Sequence, residues 1–387
     1  MKIGLLTQPL GHNYGGVLQA LALKTVLERR GHEVVLFDWY SRRISLNLCG
    51  TVSNKIATRK IRRFVDTHFT KRYVRRGGWN VNAVKGLDAV VVGSDQVWRP
   101  AYNNNGMLGH NFLDFCQNAG IRRVAYAASF GTDICEFTGP QVAVFRPLLQ
   151  KFDGVSVRED SGVVLCCDLF GVEAQHLLDP TLLLDREDYM SFAGISPSDT
   201  PRGGGLLSYI LDRSEETDRL VSGIAGEKGL RIIRVNSQYE NREAPLKDRI
   251  QPPVEDWLRA FYDADFIVAD SFHAAVFSII FRKPFLLVCN RRRGAARMES
   301  LLRLFNIRDN MIVVDDSSDC VMCGSKSGGG ESAGEICLSE TVGRESAGEI
   351  CLSKTTKSGK SMDEAEVSDI LKREREKAYG FIDKCLS

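Results

Sequence analysis

Residues 267–285, IVADSFHAAVFSIIFRKPF, decide the fold class because they contain a strand, a helix and the start of another strand. The first apolar run stops at Asp270 and Ser271, and an apolar stretch with the length of a short helix follows. A second apolar run begins at Phe285. A strand–helix–strand order of this kind is typical of a parallel α/β sheet. His273 lies where the first strand ends and the helix begins.

The N-terminal residues repeat this order. Residues 2–37 have the pattern of a strand, a turn-rich loop that includes Gly15, a helix that begins at Val17 and a second strand. Further short apolar runs, each followed by small or polar residues, occur at 87–92, 123–128 and 154–157. We therefore predict an N-terminal α/β domain over residues 1–195.

Small and polar residues follow the strands of this predicted domain. In open α/β sheets, ligands bind outside the carboxyl ends of the strands. We therefore expect a binding edge that is formed by Gly15, Ser94, Asp95, Gln96, Ser129 and Arg158.

The rest of the chain is predicted to contain a second domain and a separate C-terminal part. A linker rich in Ser, Pro and Gly at 196–205 precedes a second α/β series over residues 206–320. We expect the two Rossmann-like domains to face a cleft. Residues 321–361 are predicted to be a flexible loop with a tandem duplication, because ESAGEICLS occurs twice in it. Residues 362–387 have the pattern of a charged helix.

Composition limits the class of partner. The net charge of +2 over 387 residues gives no general case for nucleic-acid binding, and we expect no nucleic-acid partner. No apolar run reaches the roughly 18 residues that span a bilayer, and the N-terminal run is too short for a signal peptide. We therefore expect a cytoplasmic protein whose eleven cysteines are reduced thiols.

His273 has two interpretations at this stage. The free N–H groups and positive dipole end at the start of a helix form an anion site. An imidazole at such a site is held near neutral, which suits acid–base chemistry. The alternative is a histidine that caps the helix or packs in the core.

Arginines supply the candidate anion ligands. Arg158 follows a strand and either binds a carboxylate or phosphate in the cleft or forms a surface salt bridge with Glu159 or Asp160. A second group follows the apolar run at 285–288, where its position favours an anion-binding loop over a solvated one. This group consists of Arg291, Arg292, Arg293 and Arg297.

Three further patterns are weaker. Residues 55–76 are strongly basic and have an irregular apolar face. This pattern favours a helix whose charged face is solvated. The alternative is a helix that contacts an acidic membrane surface or a lipid-linked substrate. Only one CxxC is present, Cys320 to Cys323, so we expect no metal site. Residues 11–16 match neither a P-loop nor GxGxxG, so neither nucleotide fingerprint is found there.

Six short motifs, taken together in their order and spacing, resemble those of the polysaccharide pyruvyl transferase family. The resemblance extends from residue 1 to about residue 316 and leaves out the duplicated segment. The motifs are NYGGVLQ at 13–19, GSDQVW at 93–98, ASFG at 128–131, SVRE at 156–159, DPT at 179–181 and DSFH at 270–273.

The resemblance implies a glycosyltransferase-B-like fold and the transfer of pyruvate from phosphoenolpyruvate to two hydroxyls of one sugar, which forms a cyclic ketal and releases phosphate. It implies His273 as the acid–base residue and Arg158, with Ser271 and Phe272, on the donor side. The acceptor is implied to be a saccharide, on a polysaccharide or lipid-linked precursor, and no cofactor is required. The first domain would hold the acceptor and the second the donor. Residues expected at the acceptor or cleft side are Asn13, Tyr14, Gly15, Ser94, Asp95, Gln96 and Ser129.

One position departs from the family pattern. Many members carry Arg two positions before the histidine, whereas this chain has Ser271. We hypothesise that a later arginine replaces it. The candidates are Arg291, Arg292, Arg293 and Arg297.

Two other functions compete with this one. A nucleotide-sugar glycosyltransferase on the same fold often carries a Glu in the helix after the second-domain strand, and residues 274–280 contain no carboxylate. Asp263 and Asp265 form a DxD, but they precede their strand and so lie at its wrong end. The second competitor is a non-catalytic family member, which the missing arginine keeps open. Phosphate release from phosphoenolpyruvate would discriminate between them.

Overall fold

The computed structural model describes residues 1–40, 48–75, 79–103, 105–289, 295–314, 320–321 and 362–387. Three predictions fall outside these residues. They are the anion-binding role of Arg291, Arg292 and Arg293, the flexible loop and the tandem duplication inside it.

The first half of the chain forms a seven-stranded sheet of parallel strands, in the order β3-β2-β1-β4-β5-β6-β7. Its strands are β1 Lys2–Leu6, β2 Glu33–Tyr40, β3 Lys71–Arg75, β4 Ala89–Val92, β5 Arg122–Ala128, β6 Gly154–Val157 and β7 Gln175–His176. Its helices are α1 Tyr14–Arg29, α2 Leu48–Ala57, α3 Arg59–His68, α4 Asn105–Asn111, α5 Gly139–Leu149, α6 Asp160–Leu165 and α7 Arg186–Phe192.

The second half forms a six-stranded sheet in the order β13-β12-β11-β10-β8-β9, parallel except for β13. Its strands are β8 Leu206–Tyr209, β9 Ile232–Arg234, β10 Phe266–Ala269, β11 Phe285–Cys289, β12 Met311–Val314 and β13 Cys320–Val321. The helices are α8 Glu215–Lys228, α9 Leu246–Arg249, α10 Val254–Asp263, α11 Phe272–Ile280, α12 Ala296–Leu304 and α13 Glu364–Leu386. The predicted α/β class with two Rossmann-like sheets is confirmed.

Both faces of each sheet are covered, as strands made of continuous apolar runs require. Val90 and Val92 pack into a cluster on one face of the first sheet, and Val91 packs into a larger cluster on the other. That larger cluster also contains residues of α10 and α11 from the second half, so the apolar core is continuous between the halves. Tyr14 of α1 stacks on Trp257 of α10 with ring centroids 5.5 Å apart.

Helix α1 begins three residues earlier than predicted, at Tyr14 rather than Val17. Asn13 caps it, because the Asn13 side-chain oxygen accepts the Gly16 backbone N–H at 3.2 Å. Gly15, which was predicted to lie in a loop, is therefore in the first helical turn. The capping bond and the close packing against this turn outweigh the weak helix propensity of two glycines.

The basic segment at 55–76 was predicted to be one helix, and the structure shows that this prediction is wrong. It contains the end of α2, all of α3 and strand β3, which pairs with β2 at the edge of the sheet. The apolar residues Ile61, Phe64 and Val65 of α3 are buried, and its cationic residues are exposed.

The C-terminal helix α13 packs against the first half of the chain, a point that the sequence left open. Arg375 donates from Nε to the Leu182 carbonyl oxygen at 2.7 Å, and Asp383 forms a salt bridge with Arg30 at 2.8 Å. The chain therefore returns to its first half after the second sheet is complete.

Candidate functional site

Each sheet has one point where the strand order reverses, and binding sites of open α/β sheets lie at such points. In the first sheet this point is between β1 and β4, and in the second it is between β8 and β10. The loop after β1 leads into α1, and the loop after β4 contains Ser94, Asp95 and Gln96. The loop after β10 leads directly into α11 and His273.

A cavity of about 680 Å³ lies at the reversal point of the first sheet. Its volume is within the range of roughly 300–1,000 Å³ that small-molecule sites occupy. It is lined by Gln8, Pro9, Leu10, Gly11, His12, Asn13, Gly16, Asp38, Arg62, Val65, Asp66, Lys71, Tyr73, Asp95, Gln96 and Tyr102. Asn13, Asp95 and Gln96 had been predicted for the acceptor side, and the structure brings them together here.

His273 is the second residue of α11 and is 6% exposed. Its ring packs against Gly15, since a Cβ atom at Gly15 would lie 2.1 Å from His273 Nδ1. Ser271 is the N-cap residue, but its side chain makes no capping bond. Two helix starts, those of α1 and α11, therefore meet at this imidazole.

A buried network of charges lies behind His273. Asp179 Oδ2 accepts hydrogen bonds from Arg158 Nη1 at 2.9 Å and from Ser94 Oγ at 2.6 Å. The same oxygen is 3.7 Å from His273 Nε2. The other oxygen, Oδ1, accepts from the backbone N–H and the hydroxyl of Thr181. Asp179 is therefore positioned by four groups and faces the histidine.

The environment keeps Asp179 ionised. Burial by itself would raise the pKa of this carboxyl, but the neighbouring His273 ring, the Arg158 guanidinium and the Ser94 hydroxyl together lower the pKa well below its usual range. An ionised carboxylate oxygen therefore lies 3.7 Å from His273 Nε2.

Arg158 does not follow the surface salt-bridge interpretation of its sequence position. It does not form an exposed salt bridge with Glu159 or Asp160. Its side chain is fully buried and pairs with Asp179 and, through Nη2, with Asp95 Oδ1 at 3.3 Å. Burial opposes the charge, yet these two carboxylates raise the pKa of Arg158 above its ordinary value. Neither partner is its sequence neighbour, because both come from the ends of other strands.

Asp95 has a strained backbone, with φ of +80° at a residue other than glycine. Its carbonyl oxygen accepts the Ser129 N–H at 3.1 Å, and its Oδ1 accepts the Gln96 N–H at 2.9 Å. These bonds hold the unusual conformation, which places the carboxylate between Arg158 and the start of α1 at Gly16.

Ser129 forms a hydrogen bond with the buried carboxylate of Glu159. Its hydroxyl donates to Glu159 Oε1 at 3.1 Å, and the same oxygen accepts the backbone N–H groups of Phe130 and Gly131. The buried Glu159 thereby shapes the loop after β5. Ser94, Ser129, Tyr14 and Gly15 are not lining residues of the cavity, whereas Asn13, Asp95 and Gln96 are.

Arg297 is a buried cation that has no carboxylate partner among the described residues. It lies in the first turn of α12 and is 9% exposed. Its Nε has no hydrogen-bond partner, and no described carboxylate forms a salt bridge with it. Its guanidinium carbon is 5.9 Å from the centre of the Phe272 ring, and that of Arg158 is 4.6 Å from the same ring. Burial and the charge of Arg158 lower the pKa of Arg297 to about 10.

Sequence reasoning missed two parts of this site. Asp179 was noted only as part of a motif, although its position after β7 at the binding edge was a usable signal. Arg62, on the cavity wall, had no strand-end signal because it lies within helix α3.

A profile of the polysaccharide pyruvyl transferase family matches residues 13–292, which include the start of α1, the buried charge network and His273. The chain belongs to the polysaccharide pyruvyl transferase family. The resemblance stated from the sequence motifs is thereby confirmed. In this pyruvyl transferase family member, the guanidinium carbon of Arg297 lies 5.9 Å from the centre of the Phe272 ring, and Phe272 follows Ser271.

The family member is also similar to solved structures at low identity. A glycosyltransferase from Rickettsia africae is 10% identical, with a TM-score of 0.47 over 100% of this chain and 95% of that chain. The spinosyn forosaminyltransferase SpnP is 12% identical, with a TM-score of 0.48 over 97% and 94%. UDP-GlcNAc 2-epimerase from Methanocaldococcus jannaschii is 12% identical, with a TM-score of 0.46 over 82% and 89%. Similarities this low carry no information about substrate or reaction. No curated protein matches the chain.

Within the described ranges, no group of three or more His, Cys, Asp or Glu side chains is placed to hold a metal ion. None of the helices described is long and apolar enough to cross a bilayer.

Proposed function

We propose that this family member transfers pyruvate from phosphoenolpyruvate to two hydroxyls of one sugar residue and forms a cyclic ketal. The observation that carries the proposal is Arg297, a buried guanidinium without a carboxylate partner in the described part of the chain. A buried cation without a counter-charge is costly, and an anionic ligand removes that cost. Phosphoenolpyruvate supplies both a carboxylate and a phosphate.

The reaction requires one acid–base group and one anion clamp. Protonation of the methylene carbon of phosphoenolpyruvate places positive charge on its central carbon, which the first sugar hydroxyl attacks with loss of its proton. The second hydroxyl then displaces phosphate, and its proton leaves with the phosphate. His273 is the proposed acid–base group, because its imidazole is next to the ionised Asp179 and at two helix starts. No metal is needed for these steps.

The two arginines have different proposed roles. Arg158 holds Asp95 and Asp179 in place, since its guanidinium is already paired with both. Arg297 binds an anionic group of the donor beside Phe272, and so performs the task of the family arginine that Ser271 replaces. Ser271 and Phe272 form the remaining donor contacts.

The cavity on the first half of the chain is the proposed acceptor site. Its inner wall includes Asn13 and Asp95 at the reversal point of the sheet, and its lining includes two exposed tyrosine rings, Tyr73 and Tyr102. Aromatic walls with a few polar groups suit a sugar ring. The proposed acceptor is a saccharide of a polysaccharide or lipid-linked precursor, and the proposed location of the reaction is the cytoplasm.

The proposal is tested by calorimetric titration of phosphoenolpyruvate into the wild type, with UDP-glucose as the control ligand. We expect Arg297→Gln to weaken phosphoenolpyruvate binding by about tenfold or more, the effect of one charge-assisted contact. Arg308→Gln is the matched control, since Arg308 is an exposed arginine that follows the same helix. Binding of UDP-glucose instead would favour a glycosyltransferase. With an acceptor present, phosphate release that is lost in His273→Asn is the expected catalytic result.

A further inference from the structure

Helix α3 carries three arginines that the proposed reaction does not use, and one of them lines the cavity. Arg62 of α3 lines the cavity together with Val65 and Asp66, which share one face of the helix with it. Arg59 and Arg63 continue that face of the helix. Arg59 precedes Arg62 by three positions, and Arg63 precedes Asp66 by three positions. All three arginines are exposed.

None of these arginines forms a salt bridge with another described residue. Asp66 is the one carboxylate of α3, and it forms its salt bridge with Lys71. Lys71 Nζ also lies 3.5 Å from Asp38 Oδ2, so Asp38 and Asp66 both pair with this one lysine. Arg62 is instead oriented by a hydrogen bond from its Nε to Thr58 Oγ1 at 3.0 Å. Its two Nη groups remain for a ligand.

A membrane surface is a poor fit for this patch. Amphipathic helices that bind membranes insert a free apolar face next to their basic residues. The apolar residues Ile61, Phe64 and Val65 of α3 are 0%, 3% and 2% exposed, because they pack into the core. The helix therefore offers cations beside a cavity, and no apolar face of it is available to a bilayer.

The patch also differs from the donor clamp. Arg62 reaches the cavity from α3 of the first half, whereas Arg297 belongs to α12 of the second half and is buried beside Phe272. An anion at Arg62 therefore belongs to the molecule that occupies the cavity, which is the acceptor if the proposed function holds.

We propose that α3 forms an anion subsite of the acceptor: Arg62, with Arg59 and Arg63, binds a phosphate or carboxylate group that is covalently attached to the saccharide in the cavity. The anion subsite follows from the contacts of α3 alone. Only the identification of its ligand as the acceptor rests on the proposed function. The oxyanion is either the phosphate of a carrier or the carboxylate of a uronic acid, and guanidinium groups bind both.

The test titrates two soluble probes, first without phosphoenolpyruvate and then with phosphoenolpyruvate as a competitor. Geranyl diphosphate carries phosphate oxyanions, and digalacturonic acid carries carboxylates on a glycan. We expect at least one to bind the wild type in calorimetry, with affinity about tenfold lower in Arg62→Gln. The double variant Arg59→Gln/Arg63→Gln should also bind more weakly. Lys372→Gln, an exposed cation of helix α13, should bind as the wild type does.

The identity of the probe that binds distinguishes a phosphate carrier from a uronic acid. The proposal is overturned if neither probe binds, or if Arg62→Gln binds as tightly as the wild type. It is also overturned if phosphoenolpyruvate competes with the probe and Arg297→Gln abolishes probe binding, because the anion would then occupy the donor site. Arg62-dependent binding to anionic vesicles alone would replace it with a membrane contact. Failure of phosphoenolpyruvate binding with intact Arg62-dependent probe binding would overturn the proposed function and leave the subsite standing.

Discussion

Asp179 and Arg158 form an ion pair in which neither side chain has any exposed surface, with 2.9 Å between Oδ2 and Nη1. The pair joins the end of β6 to the residues after β7, and through Asp95 it also reaches the loop after β4. His273, from the second half of the chain, completes the group at 3.7 Å. The buried charges therefore couple the catalytic candidate to three strand ends of the first sheet.

Asp179→Asn should strongly destabilise the protein. It leaves Arg158 buried with one carboxylate fewer, and loss of one partner of a buried pair costs about 3–5 kcal/mol of unfolding free energy. Urea unfolding measures the change. Asp383→Asn is the control, since its salt bridge with Arg30 is exposed and worth about 0–1 kcal/mol. Equal effects of the two substitutions would contradict a special role for the buried pair.

Stability should fall in acid because of Asp179. Its pKa is lowered in the folded state, so its contribution is complete above the unfolded-state pKa of about 4. The contribution is lost progressively as the pH falls below that value toward the folded-state pKa. Urea unfolding at a series of pH values from 7 to 3 checks this. Asp179→Asn should show a shallower acid slope than the wild type, and parallel slopes would count against the assignment.

Gly15→Ala should reduce turnover by displacing His273. The new Cβ would lie 2.1 Å from Nδ1, so the imidazole or helix α1 must move. A displacement of about 1 Å at a reacting group can reduce the rate by roughly 100-fold. Phosphate release under saturating donor and acceptor measures it. Gly226→Ala, at a helical glycine of α8 with open space around it, is the matched control and should leave turnover unchanged.

Arg297→Met should stabilise the free protein while weakening donor binding. Arg297 is buried and has no carboxylate partner among the described residues. Its replacement by an apolar side chain of similar length removes a desolvation cost, and we expect a gain of about 1 kcal/mol or more. Thermal unfolding without ligand and calorimetry with phosphoenolpyruvate give the two readouts. Arg158→Met is the contrasting variant, because it leaves two carboxylates unpaired and should destabilise. A loss of stability in Arg297→Met would indicate that Arg297 is a structural residue.

Much of the fold could be predicted from local patterns. The short apolar runs became strands because a continuous apolar run fits a sheet that is covered on both faces. His273 was correctly placed at the start of a helix, since Asp270 and Ser271 interrupt the apolar run before it. The polar residues after β4 could be assigned to the binding edge because carboxyl ends of parallel strands meet there.

The errors and omissions arose where distant segments meet. The start of α1 at Tyr14 depends on the Asn13 cap and on close packing of Gly15 against His273. The basic segment was divided between α3 and β3 because β2 offered an edge for pairing. The Gly15–His273 contact and the β2–β3 pairing have no local sequence signal, whereas the Asn13 cap does.

The amino-acid sequence by itself determined the α/β class, the strand ends and the family, because these depend on periodicity and short motifs within each segment. Only the tertiary structure decided which charges are paired. It buried Arg158 between Asp95 and Asp179, and it left Arg297 without a partner in the described part of the chain. The physical reason is that the energy of a buried charge depends on its neighbours in space, and those neighbours come from segments far apart in the chain.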